Sequence, residues 1–336
     1  MTVRKRVRTW AKWLGILLMA ALVLAAAAFV YLHRDFEPGR GAPPGFRNRD
    51  EILAALAIRA LPMIDRAPPL PGNVIEKVGV VYGQGGGRDL LLDLYQPKEQ
   101  TSRPVPGLIF IHGGAWAKGK REDYRVYTTH FAAMGYVTTS ISYRLVREAP
   151  FPAAVEDAKC AVRWMRAHAT ELGIDPARIA VIGGSAGGHL AMMVGYSPGE
   201  LEGSGGSPDV SSAVAAVVDI YGPADLSTDQ AKSAESAIAF MGGSQFDEAP
   251  EMWMSASPVS HLDGSDPATL IMHGTLDELV DVAQADDLAE RLRKLGVHCE
   301  YERFDGWPHT MDVSAPMNAY FKERLAKFFA EQLGSP

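Results

Sequence analysis

The stretch VIGGSAGGHL (residues 181–190) sets one serine among four glycines directly after an apolar run. RIAVIGG before the serine reads as a buried strand and AGGHLAMMVGY after it as a helix, so Ser185 falls on the turn between them. Gly183, Ser185 and Gly187 match G-x-S-x-G, in which a sharp strand-to-helix turn strains the serine backbone and admits only small neighbours. Such a turn exposes the hydroxyl at the carboxyl end of a sheet, beside a helix N-terminus that favours developing negative charge. A glycine-rich packing turn uses the same letters. A phosphate loop is poorly supported without the Gly-Lys-Ser/Thr ending, and GQGGGR (83–88) lacks the third glycine of a dinucleotide fingerprint and precedes a strand.

A serine hydroxyl needs a base, and the base needs an orienting acid. On a strand–turn–helix mount the order is serine, acid, histidine, which excludes His112 and His130 as the base. His309, in FDGWPHTM, sits on a loop after the strand-like CEYERF and is the preferred base; His298 precedes that strand and faces solvent or packing. Asp277, in TLIMHGTLDELV, follows an apolar strand and is the preferred acid. Glu278 competes as a solvent-facing neighbour, and Asp219 in VVDIYG is a weaker alternative on an earlier strand. Charge on a tetrahedral intermediate needs fixed donors, each contributing about 3–4 kcal/mol. In IFIHGGAW a strand ends at His112 and turns through Gly113, Gly114 and Ala115, whose N–H groups, with that of Ala186, form the expected oxyanion hole. His112 is read as a hydrogen bonder that shapes this loop.

These residues require a sheet to carry them. VGVVYG and DLLLDLY, separated by QGGGR, read as an antiparallel hairpin. GLIFIHGG, YVTTSISY, RIAVIGG, AAVVDIYG, TLIMHG and CEYERF then alternate with helical patterns. Val155, Ala158, Val162, Met165, Ala169 and Leu172 form one apolar stripe, and Val282, Ala285, Leu288, Leu292 and Leu295 another before Gly296, a C-cap. YFKERLAKFFAEQL ends the chain as an amphipathic helix. The expected fold is α/β: an eight-stranded, mostly parallel sheet with helices on both faces. Residues 197–212 read as a mobile surface loop and 223–262 as a small helical insertion. Cys160 and Cys299 read as small core residues, too few for a disulfide scaffold or thiolate zinc site.

HGGAW, SYRL, GIDPARIAVIGGSAGGHLA, DIYGPADL, ASP, HGTLDELV and GWPHT occur in the order found in α/β-hydrolases. From about residue 75 onward the chain resembles their hormone-sensitive-lipase-like and feruloyl/acetylxylan-esterase-like branch. The resemblance implies a serine carboxylic ester hydrolase acting on a small acetyl, short-acyl or feruloyl ester. It carries Ser185, Asp277 and His309 over as nucleophile, acid and base, with residues 113–115 as oxyanion hole, and implies no metal and no organic cofactor. HGGxW also resembles kynurenine-formamidase-like amidases and prenylcysteine methylesterases, and a hydrolase-fold binding protein without activity is a third reading. Two departures stand out: many relatives have glycine where Ala115 stands, and Val280 is followed by Asp281 where a Val-Pro pair is common. Trp116, Tyr143, Phe240, Met241 and Trp307 are candidate pocket walls, with core packing as the competing role.

Residues 1–13 carry Arg4, Lys5, Arg6, Arg8 and Lys12, and read as a basic cytoplasmic tail. The uncharged run Leu14–Leu32 would span roughly 28 Å as a helix, close to the hydrocarbon thickness. It is expected to be a transmembrane signal anchor, with a cleaved signal peptide and secretion as the alternative, since Ala25–Ala28 supply an A-x-A site. Either way the rest of the chain lies on the non-cytoplasmic side, periplasmic or extracellular. Residues 33–74, rich in Pro and Gly around RDEILAALAIRAL, read as a stalk, and 75–336 as the catalytic domain. The net charge of −7 excludes a nucleic-acid binder held by a basic surface. Oligomeric state leaves no mark in the sequence.

Overall fold

Eight strands form one sheet: β1 (Val74–Gly85), β2 (Arg88–Pro97), β3 (Val105–Ile111), β4 (Val137–Ile141), β5 (Ile174–Gly184), β6 (Ala216–Ile220), β7 (Ala268–Gly274) and β8 (Cys299–Phe304). The computed structural model from which they are described covers residues 13, 15, 16, 19, 41–99 and 103–336. The strand order is β1-β2-β4-β3-β5-β6-β7-β8. The pairs β1/β2 and β2/β4 are antiparallel and the remaining five are parallel.

Every residue of β3, β4 and β6 is buried, as a parallel sheet covered on both faces requires. Alternation assigns the two faces. Ile109, Ile111 and Val181 join the core built with helices Ala153–Ala167, Ala186–Tyr196 and Val282–Lys294. Leu108, Phe110, Ala180 and Ile182 join the opposite core, with helices Arg125–Ala133 and Ala315–Leu333. The expected stripes are largely on the inner faces: Val155, Ala158, Val162 and Met165 are buried on one helix, and Ala285, Leu288 and Leu292 on another, whereas Leu295, just past its end, is exposed. Gly296 follows the latter helix at φ 78°, in the left-handed region that glycine enters most readily. Residues 223–262 contain three short helices, Asp229–Ser233, Glu235–Phe240 and Pro250–Ser255, inserted between β6 and β7.

Two expectations are corrected. Residues 33–74 were expected to be a stalk, yet from residue 41 the chain lies on the domain. Asn48 caps helix Arg49–Ala57, and Phe46, Ile52, Ala55, Ala60 and Leu61 are buried in the same core as Phe321. Phe46 meets Trp307 edge-on at 5.4 Å, and its N–H donates to the Gly306 carbonyl at 2.8 Å. A nine-residue helix is too short to persist alone, so its apolar side docks. The flanking prolines and glycines make turns, not a detached linker.

Residues 197–212 were expected to be mobile, but three cations of helix Ala153–Ala167 tie them down. Lys159 donates to the Ser197 and Glu200 carbonyls, Arg163 pairs with Glu202 and reaches the Gly205 carbonyl at 2.7 Å, and Arg166 bonds the Ser211 and Ala213 carbonyls. Lys159 and Arg163 are buried, which their charge disguised in the sequence. The expected anchor, 14–32, and the basic tail fall almost wholly outside the described residues. Among those described, no helix is long and apolar enough to cross a membrane.

Candidate active site

β5 delivers Ser185 to the carboxyl edge of the sheet, and helix Ala186–Tyr196 starts at the next residue. Ser185 has φ 57° and ψ −125°, a conformation that an L-residue adopts only when its surroundings hold it there. The hold is visible: Ser185 N–H donates to the Ile220 carbonyl at 2.8 Å, and its carbonyl accepts from His189 N–H at 3.0 Å. A side chain at Gly183 would collide with the Gly187 carbonyl, and one at Gly187 with the Ile111 carbonyl. Both glycines are therefore demanded by close backbone approach.

The structure brings the three distant side chains together. His309 Nε2 is 2.9 Å from Ser185 Oγ, and His309 Nδ1 is 2.6 Å from Asp277 Oδ2. With the carboxylate accepting from Nδ1–H, the imidazole presents Nε2 as acceptor to the serine hydroxyl. Asp277 is saturated: Oδ1 accepts from the N–H groups of Leu279 and Val280, each at 2.9 Å, and Oδ2 also lies 3.1 Å from His273 Nε2. Burial alone would raise its pKa, but the bonds from His273, His309 and the backbone hold it well below the usual carboxylate range. Of the competing residues, Glu278 is exposed and pairs with Arg49 at 2.8 Å. Asp219 lies buried on β6 and accepts from Gly222 N–H, and His298 is exposed beside Glu300.

The loop after β3 runs through three successive left-handed residues: Gly114 at φ 114°, and Ala115 and Trp116 both at 55°. Among the described residues, neither the Gly114 N–H nor the Ala115 N–H donates to a backbone carbonyl. Gly113, Gly114, Ala115 and Ser185 line one cavity of about 490 Å³, with Arg66, Tyr124, Tyr127, Tyr221 and Asp312. Ala115, Ser185 and Ala186 line a second of about 400 Å³, walled by Trp116, Leu226, Ala231, Ala234, Ala237 and Val280. The two cavities share Ser185, Ala115 and Leu279. His112 donates from Nδ1 to the Gly113 carbonyl at 2.8 Å and stacks on Tyr143, whose hydroxyl donates back to the His112 carbonyl at 2.9 Å.

Of the five expected pocket walls, only Trp116 lines a cavity beside Ser185. Tyr143, Phe240, Met241 and Trp307 are buried and line neither one, a correction with a common cause. Tyr143 props the loop from behind, Phe240 stacks on the far side of Trp116, and Trp307 donates its indole N–H to the Pro43 carbonyl. Sequence reading missed Tyr221, whose ring centroid lies 4.5 Å from that of His309 and whose hydroxyl donates to the buried Asp312. It also missed Arg66 and Ile64, which enter the wall from the presumed stalk. No spacing signal marks these, since Tyr221 and the 64–66 segment reach the site from parts of the chain distant from Ser185, Asp277 and His309.

A mostly parallel eight-stranded sheet, with a strained serine at the end of its central strand and an acid and histidine from later loops, defines an α/β-hydrolase. The BD-FAE family model matches residues 92–292, and the chain belongs to that family. Esterase LipC of Mycobacterium tuberculosis is 34% identical over 265 residues, covering 75% of this chain and 65% of its own length; this chain thus spans just under two thirds of that relative. Among solved structures, Thermogutta terrifontis esterase 2 with propionate bound is similar at TM-score 0.68 and 28% identity, covering 81% of this chain and 98% of that one. A truncated carbohydrate esterase from gut microbiota is similar at TM-score 0.65 and 26% identity, covering 81% and 99%.

Proposed function

We propose that this protein is a serine carboxylesterase that cleaves small esters through an acyl-enzyme. The observation that carries the reading is the hydrogen-bonded series Ser185 Oγ, His309, Asp277, at 2.9 Å and 2.6 Å, opening onto two cavities. His309 Nε2 takes the hydroxyl proton as Ser185 Oγ attacks the ester carbonyl, and Asp277 stabilises the imidazolium. The oxyanion is received by N–H groups of the 113–115 loop and of Ala186 at the helix N-terminus. The imidazolium then gives its proton to the departing alkoxide. Water, deprotonated by the same nitrogen, releases the acid and restores the serine.

The likeness to an esterase with propionate bound supports a short acyl group. The second cavity supports it too: its alanines, Leu226 and Val280 leave a small, largely apolar space. The first cavity, with three tyrosines, suits a polar alcohol. The basic flank and apolar run of the N-terminus support a membrane tether holding the enzyme on the non-cytoplasmic side; release of full-length protein into the soluble fraction would contradict that part.

The test is hydrolysis of p-nitrophenyl acetate by wild type and Ser185→Ala, with fluorophosphonate labelling in parallel. Wild type is expected to turn over and to be labelled at Ser185, and the variant to do neither while keeping its melting transition. An undiminished rate in Ser185→Ala overturns the reading.

A further inference from the structure

The carboxylate of Asp277 faces two histidines. His309 is the one that touches the serine; the other is His273, the penultimate residue of β7, four residues before the acid. His273 is completely buried. Its Nε2 lies 3.0 Å from the Val280 carbonyl and 3.1 Å from Asp277 Oδ2. Both neighbours are acceptors, so the ring proton must sit on Nε2, shared between them. Nδ1 is then a lone pair, and it has no partner in the protein. A buried ring that leaves one nitrogen unsatisfied in order to direct the other at Asp277 is costly if its role is only to fill space.

We propose that His273 is a positioning residue for the acid–base pair, its Nε2–H clamping the Asp277 carboxylate at the angle that His309 requires. The inference rests on the hydrolytic reading of Ser185. Three donors from the acid loop's own neighbourhood, Leu279 N–H, Val280 N–H and His273 Nε2–H, leave Asp277 one direction in which to accept, and that direction holds His309. By also bonding the Val280 carbonyl, His273 fixes the loop and the carboxylate with a single proton. Asp219, on the adjacent β6, is the ionisable group behind the ring; it is buried with Oδ2 unpaired, and burial pushes its pKa up to about 7, so its charge changes within the same pH range in wild type and both variants, and only the difference between the profiles reports on the clamp. Beside His309 lies a further ionisable group, the buried Asp312, held by Tyr221.

The clamp predicts a contrast between two amides. His273→Gln places an N–H near the position of Nε2, whereas His273→Asn places it near Nδ1 and withdraws it from Asp277. The measurement is kcat/KM for p-nitrophenyl acetate from pH 5 to 9, with melting curves and Ser185→Ala alongside. His273→Gln is expected within about threefold of wild type with its acid limb unmoved. His273→Asn is expected to lose on the order of 10- to 100-fold. Its acid limb should move to higher pH, because a carboxylate relieved of one donor holds the His309 imidazolium more strongly. Wild-type behaviour of the Asn variant, or equal losses in both with the limb unmoved, overturns the proposal. If the Asn variant does not fold, the Gln variant decides by the position of its acid limb. Activity surviving in Ser185→Ala would instead overturn the underlying reading, an outcome read independently of either amide.

Discussion

Trp116 donates its indole N–H to Nδ1 of His189, 3.3 Å away, and so joins the loop beside Ser185 to the helix that Ser185 begins. The other nitrogen of His189 donates to the Ala256 carbonyl at 2.7 Å, and Phe240 stacks on Trp116 with ring centroids 4.4 Å apart. One buried imidazole thus joins three segments: the loop after β3, the helix that follows Ser185 and the helical insertion. Any motion of the insertion would have to break these bonds.

This arrangement makes stability depend on pH. Burial pulls the His189 pKa down from 6.5 to about 4. Protonation is then disfavoured in the folded chain but not in the unfolded one, so stability is full above about 6.5 and drains as pH falls toward 4. Unfolding free energies at pH 7 and pH 4.5 should differ by less in His189→Gln than in wild type. The variant should also start lower at pH 7, by about 1–3 kcal/mol for its lost hydrogen bonds. Equal pH slopes in the two proteins would refute the assignment.

Asp277 holds one tautomer of His309, so Asp277→Asn should cost far more than its small change in shape suggests. An amide can donate toward Nδ1, which places the ring proton on Nε2 and blocks the base. The expected loss in kcat is on the order of 10⁴ at neutral pH, with the protein still folded. A loss below tenfold in steady-state kinetics would mean that His309 is oriented by something else.

Ala115 occupies φ 55°, where a β-carbon costs about 1–2 kcal/mol. Glycine removes that cost while adding roughly 0.5–1 kcal/mol of unfolded-state freedom. Ala115→Gly should therefore raise Tm slightly, by about 1 °C. Because Ala115 lines both cavities, the change should also raise kcat/KM for branched-alcohol esters relative to p-nitrophenyl acetate. A fall in Tm together with unchanged selectivity would count against the loop geometry.

Phe46 tests whether residues before the first strand belong to the domain. Its ring is buried against Trp307, so Phe46→Ala should cost about 3 kcal/mol and lower Tm by roughly 5–9 °C. A detached stalk would leave the melting curve unchanged.

The legible part of this protein was what local chemistry imposes. Ser185 was visible because a strained turn tolerates only glycine and alanine around it, the central strands because buried parallel strands are apolar throughout, and the first two because the QGGGR turn separates them. Asp277 and His309 were legible by elimination, once the order of the parts was given by the turn. What only the tertiary structure decided are contacts made by residues with no periodic or compositional mark. His273 and His189 read as any histidine in an apolar stretch until the second strand or loop arrives beside them. Lys159 and Arg163 read as solvent-facing charges until the 197–212 loop folds its carbonyls over them. Phe46 and Arg66 read as stalk until the chain is laid against the loop that carries His309. Backbone strain and burial periodicity are properties of a few consecutive residues and can be read along the chain. The direction in which a buried polar group finds its partner is set by which distant segment packs on it, and that exists only in the folded molecule.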